Sequence, residues 1–256
     1  MSNIRLIDLI KEAKLSSNSK DLEKNSNKLE NSINFIKNKN KVLILATSNR
    51  WDGHKDDEAK STVLAKMVHN RLGTDKSTFI DVSKLNIFVC EGNVSTKWGN
   101  NCGTKESMLK DKDKNPTELL RCWASLNNKS DELWKVSNAI FESDCVMFFT
   151  SIRWGQTNSI YQKLIERLTW LENRHTTLGE SNILKDKDAG IIAIGHNWRG
   201  KQVIDTQKDT LSFFGFNVPE EISWNWQYTN DEYDETKISY KKSIKTFNET
   251  FDVYEK

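Results

Sequence analysis

No apolar run in this chain approaches the roughly 20 residues that a membrane span needs, and its first 20 residues hold acids but no apolar signal core. A membrane-embedded, secreted or imported protein is therefore not expected, and the reading is of a soluble, cytoplasmic one. Charge of one sign is also lacking. The 38 Lys and Arg are interleaved with 36 Asp and Glu, for a formal net charge of +2. That balance excludes the broad basic surface a general nucleic-acid or membrane partner requires. Cysteine is scarce: Cys90, Cys102, Cys122 and Cys145 show no short paired spacing. Zinc and iron–sulfur sites use closely spaced pairs, and a chain this long has too much core to need disulfide staples. Reduced thiols are expected, with Cys145 in the core. A redox pair among the other three has no support in their spacing. Two nucleotide signatures are missing as well. No G-x-G-x-x-G follows the first strand and no G-x-x-x-x-G-K-[ST] occurs anywhere, which argues against a dinucleotide-binding Rossmann domain and against a P-loop enzyme.

What the chain does have is alternation. Hydrophobic residues make up 36% and charged residues 29%, but Lys- and Asn-rich stretches carry the dilution and sit between clearly apolar segments. Residues 1–40 read as a polar, helical arm. Ile4, Leu6, Ile7, Leu9 and Ile10 form one apolar cluster, and Leu29, Ile33 and Ile36 recur at helical spacing. Between them, Ser16–Lys28 reads as a turn or link. The arm packs on the domain or on a second subunit. From Lys41 the pattern predicts strands at Val42–Ala46, Thr78–Val82, Cys145–Phe149, Gly190–Ile194 and Ser223–Tyr228. Helices are predicted over Ser61–Leu72, Thr117–Leu126, Asp131–Phe141, Ile160–Leu171, about Lys201–Phe214 and from Ile238 to Phe251. Residues 41–256 form one domain with an insertion over about 88–116. Continuous apolar strands alternating with helices indicate an α/β protein, its parallel sheet covered on both faces. Ligands bind such sheets beyond the carboxyl ends of the strands.

Two of those ends are alike. The first strand runs into Thr47-Ser48-Asn49-Arg50 and the third into Thr150-Ser151-Ile152-Arg153. Hydroxyls, backbone N–H groups and a guanidinium at a helix start make an anion site, and Ser61 and Thr62 open the helix that follows the first strand. Either loop alone reads as helix caps; the two together favour a ligand, and a phosphate is the natural one. Beyond the third strand, Trp154 and Gly155 offer a flat apolar face beside backbone that a ligand can approach closely.

These residues resemble the NAD(P)H-dependent FMN reductase and quinone reductase family of the flavodoxin-like superfamily. Ser48-Asn49-Arg50 is similar to that family's Ser-x-Arg phosphate loop. Ile152-Arg153-Trp154-Gly155 stands where members have a loop with proline, an aromatic and Gly. Lys163-Leu164-Ile165-Glu166-Arg167 matches a Lys shortly before an Asp-Arg pair, with Glu for Asp. The resemblance covers about Lys41–Tyr228. It departs at Ile152, which replaces the proline, and at the extra stretch Trp51–Ala59, whose acids are expected to face outward.

The resemblance implies a three-layer flavodoxin-like sandwich with a five-stranded parallel sheet in the order 2-1-3-4-5. It implies bound FMN, with NADPH or NADH as co-substrate, a small acceptor such as a quinone or flavin, and a dimer or tetramer. The phosphate is expected on Ser48, Asn49, Arg50, Ser61 and Thr62, and the ring against Ser151, Ile152, Arg153, Trp154 and Gly155. In the loop after the fourth strand, His196 and Asn197 would bond the pyrimidine edge and Trp198 would flank the ring. Equally, Trp198 is a surface cover and His196 a helix-start partner. No catalytic side chain is required, because hydride transfer between nicotinamide and flavin depends on stacking and fixed charge. The alternative is an FMN-binding electron carrier or partner-binding protein without nicotinamide turnover.

Overall fold

In the computed structural model, residues 19–50, 58–195, 198–227 and 236–254 are described. The Ile4–Ile10 cluster, residues 51–57 of the extra stretch, His196, Asn197 and Tyr228 lie outside them.

The apolar runs become strands β1 (Val42–Ala46), β2 (Ser77–Asp81), β3 (Cys145–Arg153), β5 (Asp188–Gly195) and β6 (Ser223–Gln227). All are parallel, in the order β2-β1-β3-β5-β6. That is the 2-1-3-4-5 order of a flavodoxin-like sheet, since β4 (Gln156–Thr157) is only a two-residue antiparallel addition to β3. The helices are α1 (Ser19–Lys37), α2 (Lys60–Leu72), α3 (Trp123–Asn127), α4 (Leu133–Glu142), α5 (Ser159–Thr176), α6 (Gly200–Phe213) and α7 (Lys237–Tyr254). Among the described residues no helix is long and apolar enough to cross a membrane.

The period-two alternation of strand side chains divides the interior into two cores. Leu43, Leu45, Val146, Phe148, Ile191 and Ala193 face α4, α5 and α6. Val42, Ile44, Ala46, Met147, Phe149, Ile192 and Ile194 face α1, α2 and α7. Both faces being covered explains why these strands read as continuous apolar runs. On α1, Leu29, Ile33 and Ile36 lie at 0%, 3% and 1% exposure, so the helix belongs to the second core. Burying three such side chains stabilises by about 1.5–3 kcal/mol each. The Ser32 hydroxyl adds a polar tie, donating to the Glu221 carbonyl at 2.5 Å and accepting from Trp224 Nε1 at 2.9 Å. Trp224 and Trp226 face this same side, stacked on one another, with Phe247 of α7 edge-on to Trp226.

Two expectations are corrected. Ser16–Lys28 is not a link over its described part, because α1 begins at Ser19. The helix expected over Thr117–Leu126 is reduced to α3. The Asn115 side chain takes the backbone of 117–121 out of helical pairing, donating to the Leu109 and Leu120 carbonyls and accepting from the Leu120 N–H. Met108 then bridges to Arg121, and Glu118 adopts a φ of 57°.

The long excursion between β2 and α4 is pinned to α5 by one buried ion pair. Arg167 Nη1 and Nη2 meet Asp131 Oδ1 and Oδ2 at 2.8 and 3.0 Å, with both side chains wholly buried. Phe88 O and Ser125 Oγ accept from the same guanidinium, while Phe88 N and Ser125 Oγ donate to the carboxylate. Burial alone would raise the Asp131 pKa; the Arg167 hydrogen bonds and charge outweigh it and hold the group below its ordinary value. Arg167, matched above to a family motif, is thus a structural clamp.

Candidate functional site

The Thr-Ser pairs at the ends of β1 and β3 divide their labour. Thr47 and Thr150 are fully buried, and the Thr47 hydroxyl donates to the Phe149 carbonyl at 3.0 Å, tying the strands together. Ser48 and Ser151 instead line a pocket. Asn158, the residue before α5, organises both. Its Oδ1 caps the helix by accepting from the N–H groups of Ile160 and Tyr161. Its Nδ2 lies 3.1 Å from Ser48 Oγ, 2.7 Å from Thr150 Oγ1 and 3.2 Å from Ser151 Oγ. A serine oxygen that accepts from an amide keeps its own hydrogen to donate. With two hydrogens for three hydroxyls, Asn158 Nδ2 engages two of them at a time, and a serine that it engages keeps its own hydrogen to donate toward the pocket.

Across from them begins α2. Its N-cap, Ala59, has no capping side chain, and the first turn has no acidic residue. Ser61 is 2% exposed, lines the pocket and has a buried Oγ without a hydrogen-bond partner. A buried hydroxyl left unsatisfied is costly, so one at a helix N-terminus, where the dipole favours negative charge, fits an anion acceptor. Thr62 is buried too but lies outside the lining, its N–H donating to the Ala59 carbonyl.

The pocket is about 380 Å³, within the range of small-molecule sites. It brings together Ser48, Asn49, Arg50, Ser61, Ser151 and Arg153 of the residues expected from sequence, and adds Ala59, Lys60, Ile194, Gly195, Tyr240 and Ile244. Three cations are present in that set and no carboxylate among the described lining residues. The long register of β3 on β5, from Cys145↔Asp188 to Ile152↔Gly195, carries the two strand ends to the same level. Gly195 sits at φ 138°, and a Cβ there would come within 3.0 Å of the Ile152 carbonyl oxygen.

Other expected residues are placed elsewhere. Ile152 is buried at 1% exposure and Trp154 is 89% exposed; neither lines the pocket. Trp154 and Gly155, at φ 51° and 68°, are the two central residues of the β3–β4 hairpin. Positive φ at both is what the tightest hairpin turns demand. Trp198 and Arg199 pack over this turn: their side chains lie 3.1 and 3.0 Å from where a Gly155 Cβ would stand. The Arg199 guanidinium lies 4.8 Å from the Trp198 ring centroid. Arg199 itself holds a left-handed φ of 58°, so two of the three non-glycine residues with positive φ among the described residues adjoin this turn, next in sequence to or packed over it. Conformations of this kind gather at ligand sites.

Sequence reasoning missed Asn158, Lys60, Tyr240 and Ile244. Asn158 had a readable signal, an Asn directly before an apolar-periodic helix; the two residues of α7 had none. The cysteines are all unpaired thiols. Burial first, then the neighbouring Cys122 and Cys90, push the Cys102 thiol up to about 12, and burial does the same to Cys145. Both stay protonated and unreactive at neutral pH. Among the described residues no group of three or more His, Cys, Asp or Glu is placed to hold a metal ion.

No protein-family model and no curated protein matches the chain. Solved structures do. RosB with the bound intermediate 8-demethyl-8-formylriboflavin-5′-phosphate is 15% identical at a TM-score of 0.51, over 84% of this chain and 79% of that one. The azoreductase AzrA is 13% identical at 0.48, over 84% and 98%. An azoreductase from Bacillus anthracis str. Sterne is 14% identical at 0.46, over 84% and 98%. At such identity the likeness concerns architecture, and with the strand order and the two-sided helical cover it leads to one conclusion: this chain has the flavodoxin-like fold.

Proposed function

We propose that the chain is an FMN-dependent oxidoreductase that passes hydride from NADPH or NADH to a small acceptor such as a quinone or flavin. The observation that carries this reading is the convergence of Ser48, Ser151 and the unpartnered Ser61 hydroxyl with three cations around one pocket at the strand carboxyl ends. That donor set suits a phosphate dianion. RosB, similar in fold, holds a riboflavin 5′-phosphate derivative.

The terminal phosphate would be held by Ser48, Asn49, Arg50 and Ser151, with Ser61 at the start of α2. FMN, when bound, would supply the hydride-carrying chemistry between nicotinamide and acceptor. The chain's own part is placement and charge. Asn158 fixes the serine donors before the ligand arrives, so little ordering remains to be done on binding. Arg153, at the end of β3 and lining the pocket, brings a positive charge to bear on negative charge that develops during reduction. Trp198, beside the hairpin turn, would flank the ring or the nicotinamide. His196 and Asn197 remain proposed partners of the pyrimidine edge. Trp154, one residue beyond Arg153 and exposed, supports a second copy of the chain covering this edge as a homodimer.

The test is spectroscopic. Purified protein loaded with FMN should show the flavin absorption bands, and anaerobic NADPH or NADH should bleach them within a turnover time of seconds or less. Stable colour that neither nicotinamide bleaches would leave an FMN-binding electron carrier; protein that takes up no FMN would overturn the reading.

A further inference from the structure

Cys90, Cys102 and Cys122, unrelated by their spacing in the sequence, are collected by the long excursion between β2 and α4. Between Cys90 and Cys102 the chain folds back on itself. Thr96 bridges to Gly99, the Asn101 N–H donates to the Asn93 carbonyl at 3.1 Å, and Gly92 takes a left-handed φ of 66°. Both limbs are pinned. Arg167 Nη1 donates to the Phe88 carbonyl at 2.7 Å and Asn127 Nδ2 to the Glu91 carboxylate at 3.0 Å, on either side of Cys90. Asn100 Oδ1 accepts from the Cys102 N–H at 3.1 Å and from Asn173 Nδ2 of α5 at 2.9 Å. Gly92 and Cys102 are the next residues outward from the Asn93–Asn101 pair, and Cys90 Sγ accepts from the Gly92 N–H at 3.4 Å. The Cys90 sulfur is thereby carried toward Cys102. Two hydrogen bonds that flank Cys102 bring Cys122 close as well: Trp123 Nε1 donates to the Asn101 carbonyl at 2.9 Å and Arg121 Nη1 to the Gly103 carbonyl at 3.5 Å. The Cys122 sulfur lies against the Arg167 guanidinium.

We propose that Cys90 and Cys102 are a peroxide-responsive pair that closes to a disulfide, with Cys90 oxidised first and Cys102 resolving it. Access separates the two roles. Cys90 is partly exposed, whereas Cys102 and Cys122 are 8% and 6% exposed. An accessible thiol next to a second thiol is the arrangement of a redox sensor. With hydrogen peroxide as the oxidant, the Cys90 sulfur attacks one peroxide oxygen and the O–O bond breaks, giving the Cys90 sulfenic acid and water. The Cys102 sulfur then attacks the sulfenic sulfur. The S–S bond forms, the S–O bond breaks, and the departing hydroxide leaves with the Cys102 proton as a second water. Two electrons pass from the two thiols to one peroxide. Burial keeps Cys102 protonated and inert toward reagents in solvent. Beside a sulfenic acid held on the same fold, proximity supplies what ionisation does not.

The experiment treats the full chain with a small excess of hydrogen peroxide, blocks the remaining thiols with iodoacetamide and digests with trypsin without reduction. The three thiols fall in separate tryptic peptides, Leu85–Lys97, Trp98–Lys105 and Cys122–Lys129. Mass spectrometry should find the first two joined, with the loss of two hydrogens, and separable by a reducing agent. The joined peptides should come from protein that runs as a single chain on a non-reducing denaturing gel. In Cys102→Ser the link should be absent and dimedone should label Cys90; in Cys90→Ser the other thiols should stay reduced. Should Cys102→Ser fail to fold, the wild type and Cys90→Ser, altered at a partly exposed position, still decide. Cys90 driven to the sulfinic acid while Cys102 stays free would overturn the proposal. So would a link that involves Cys122, a link between two chains, or thiols that all remain reduced.

Discussion

Replacing Asn158 with aspartate separates the structural from the binding role of this residue. A carboxylate still caps α5, because one oxygen can accept from the Ile160 and Tyr161 N–H groups, which Asn158 Oδ1 now takes at 3.0 and 3.1 Å. Asp and Asn are equivalent N-caps, and a negative charge there suits the helix dipole. The fold should therefore change in stability by less than about 1 kcal/mol. The second oxygen, however, takes the place of Nδ2 and faces the hydroxyls of Ser48, Thr150 and Ser151. Each hydroxyl must now turn its hydrogen toward the introduced carboxylate rather than toward the pocket. The anion loses two charge-assisted hydrogen bonds of about 1.5–3 kcal/mol each, from Ser48 and Ser151, and gains a neighbouring negative charge. FMN affinity should fall at least about a hundredfold, while the urea midpoint barely moves. A folded Asn158→Asp variant that binds FMN as well as the wild type would refute the assignment of the two serines as ligand donors.

Ser61→Ala should leave the ligand-free protein as stable as the wild type or slightly more so, since it removes a buried hydroxyl with no partner, while FMN affinity drops about tenfold. Paired urea and flavin-binding curves read both. Arg167→Met strands the Asp131 carboxylate and should cost about 3–5 kcal/mol, whereas Arg167→Met/Asp131→Leu should recover most of that loss. Asp131 is held below its ordinary value of 3.8 by Arg167. Its contribution is thus fully present above 3.8 and is lost as pH falls through the lower folded value; acid unfolding of the wild type should carry a component that the double variant lacks. In Gly190→Ala the new Cβ would stand 2.4 Å from the Ile222 carbonyl oxygen. Chemical denaturation should show a loss of roughly 1–3 kcal/mol or more, the range of overpacking, with the flavin site altered only through the fold.

The strands were legible because a sheet covered on both faces imposes uninterrupted apolar runs. β1 falls at Val42–Ala46 in the structure as in the sequence pattern. β3 runs four residues past the expected Phe149, because Thr150, Ser151 and Ile152 still pair with β5 and Arg153 with Gln156 of β4, through backbone that side-chain pattern does not report. That extension also turns Trp154-Gly155 from a ligand-facing loop into a hairpin. The serines of the pocket were found since strand ends and helix starts are local features. Tyr240 and Ile244 were not, because only tertiary packing of a helix near the end of the chain brings them to a site built around residue 48. Arg167 shows the converse limit. Its motif was visible, but its partner Asp131 lies 36 residues away, and that separation is what decides between a clamp and a ligand contact.

The central claim is that the pocket recognises the terminal phosphate of a flavin. Parallel binding curves of the apoprotein with FMN and with riboflavin, which differ only in that phosphate, test it most directly. The account predicts that FMN binds at least about a hundredfold more tightly, the worth of two or more charge-assisted hydrogen bonds. Equal affinity for the two flavins would contradict it.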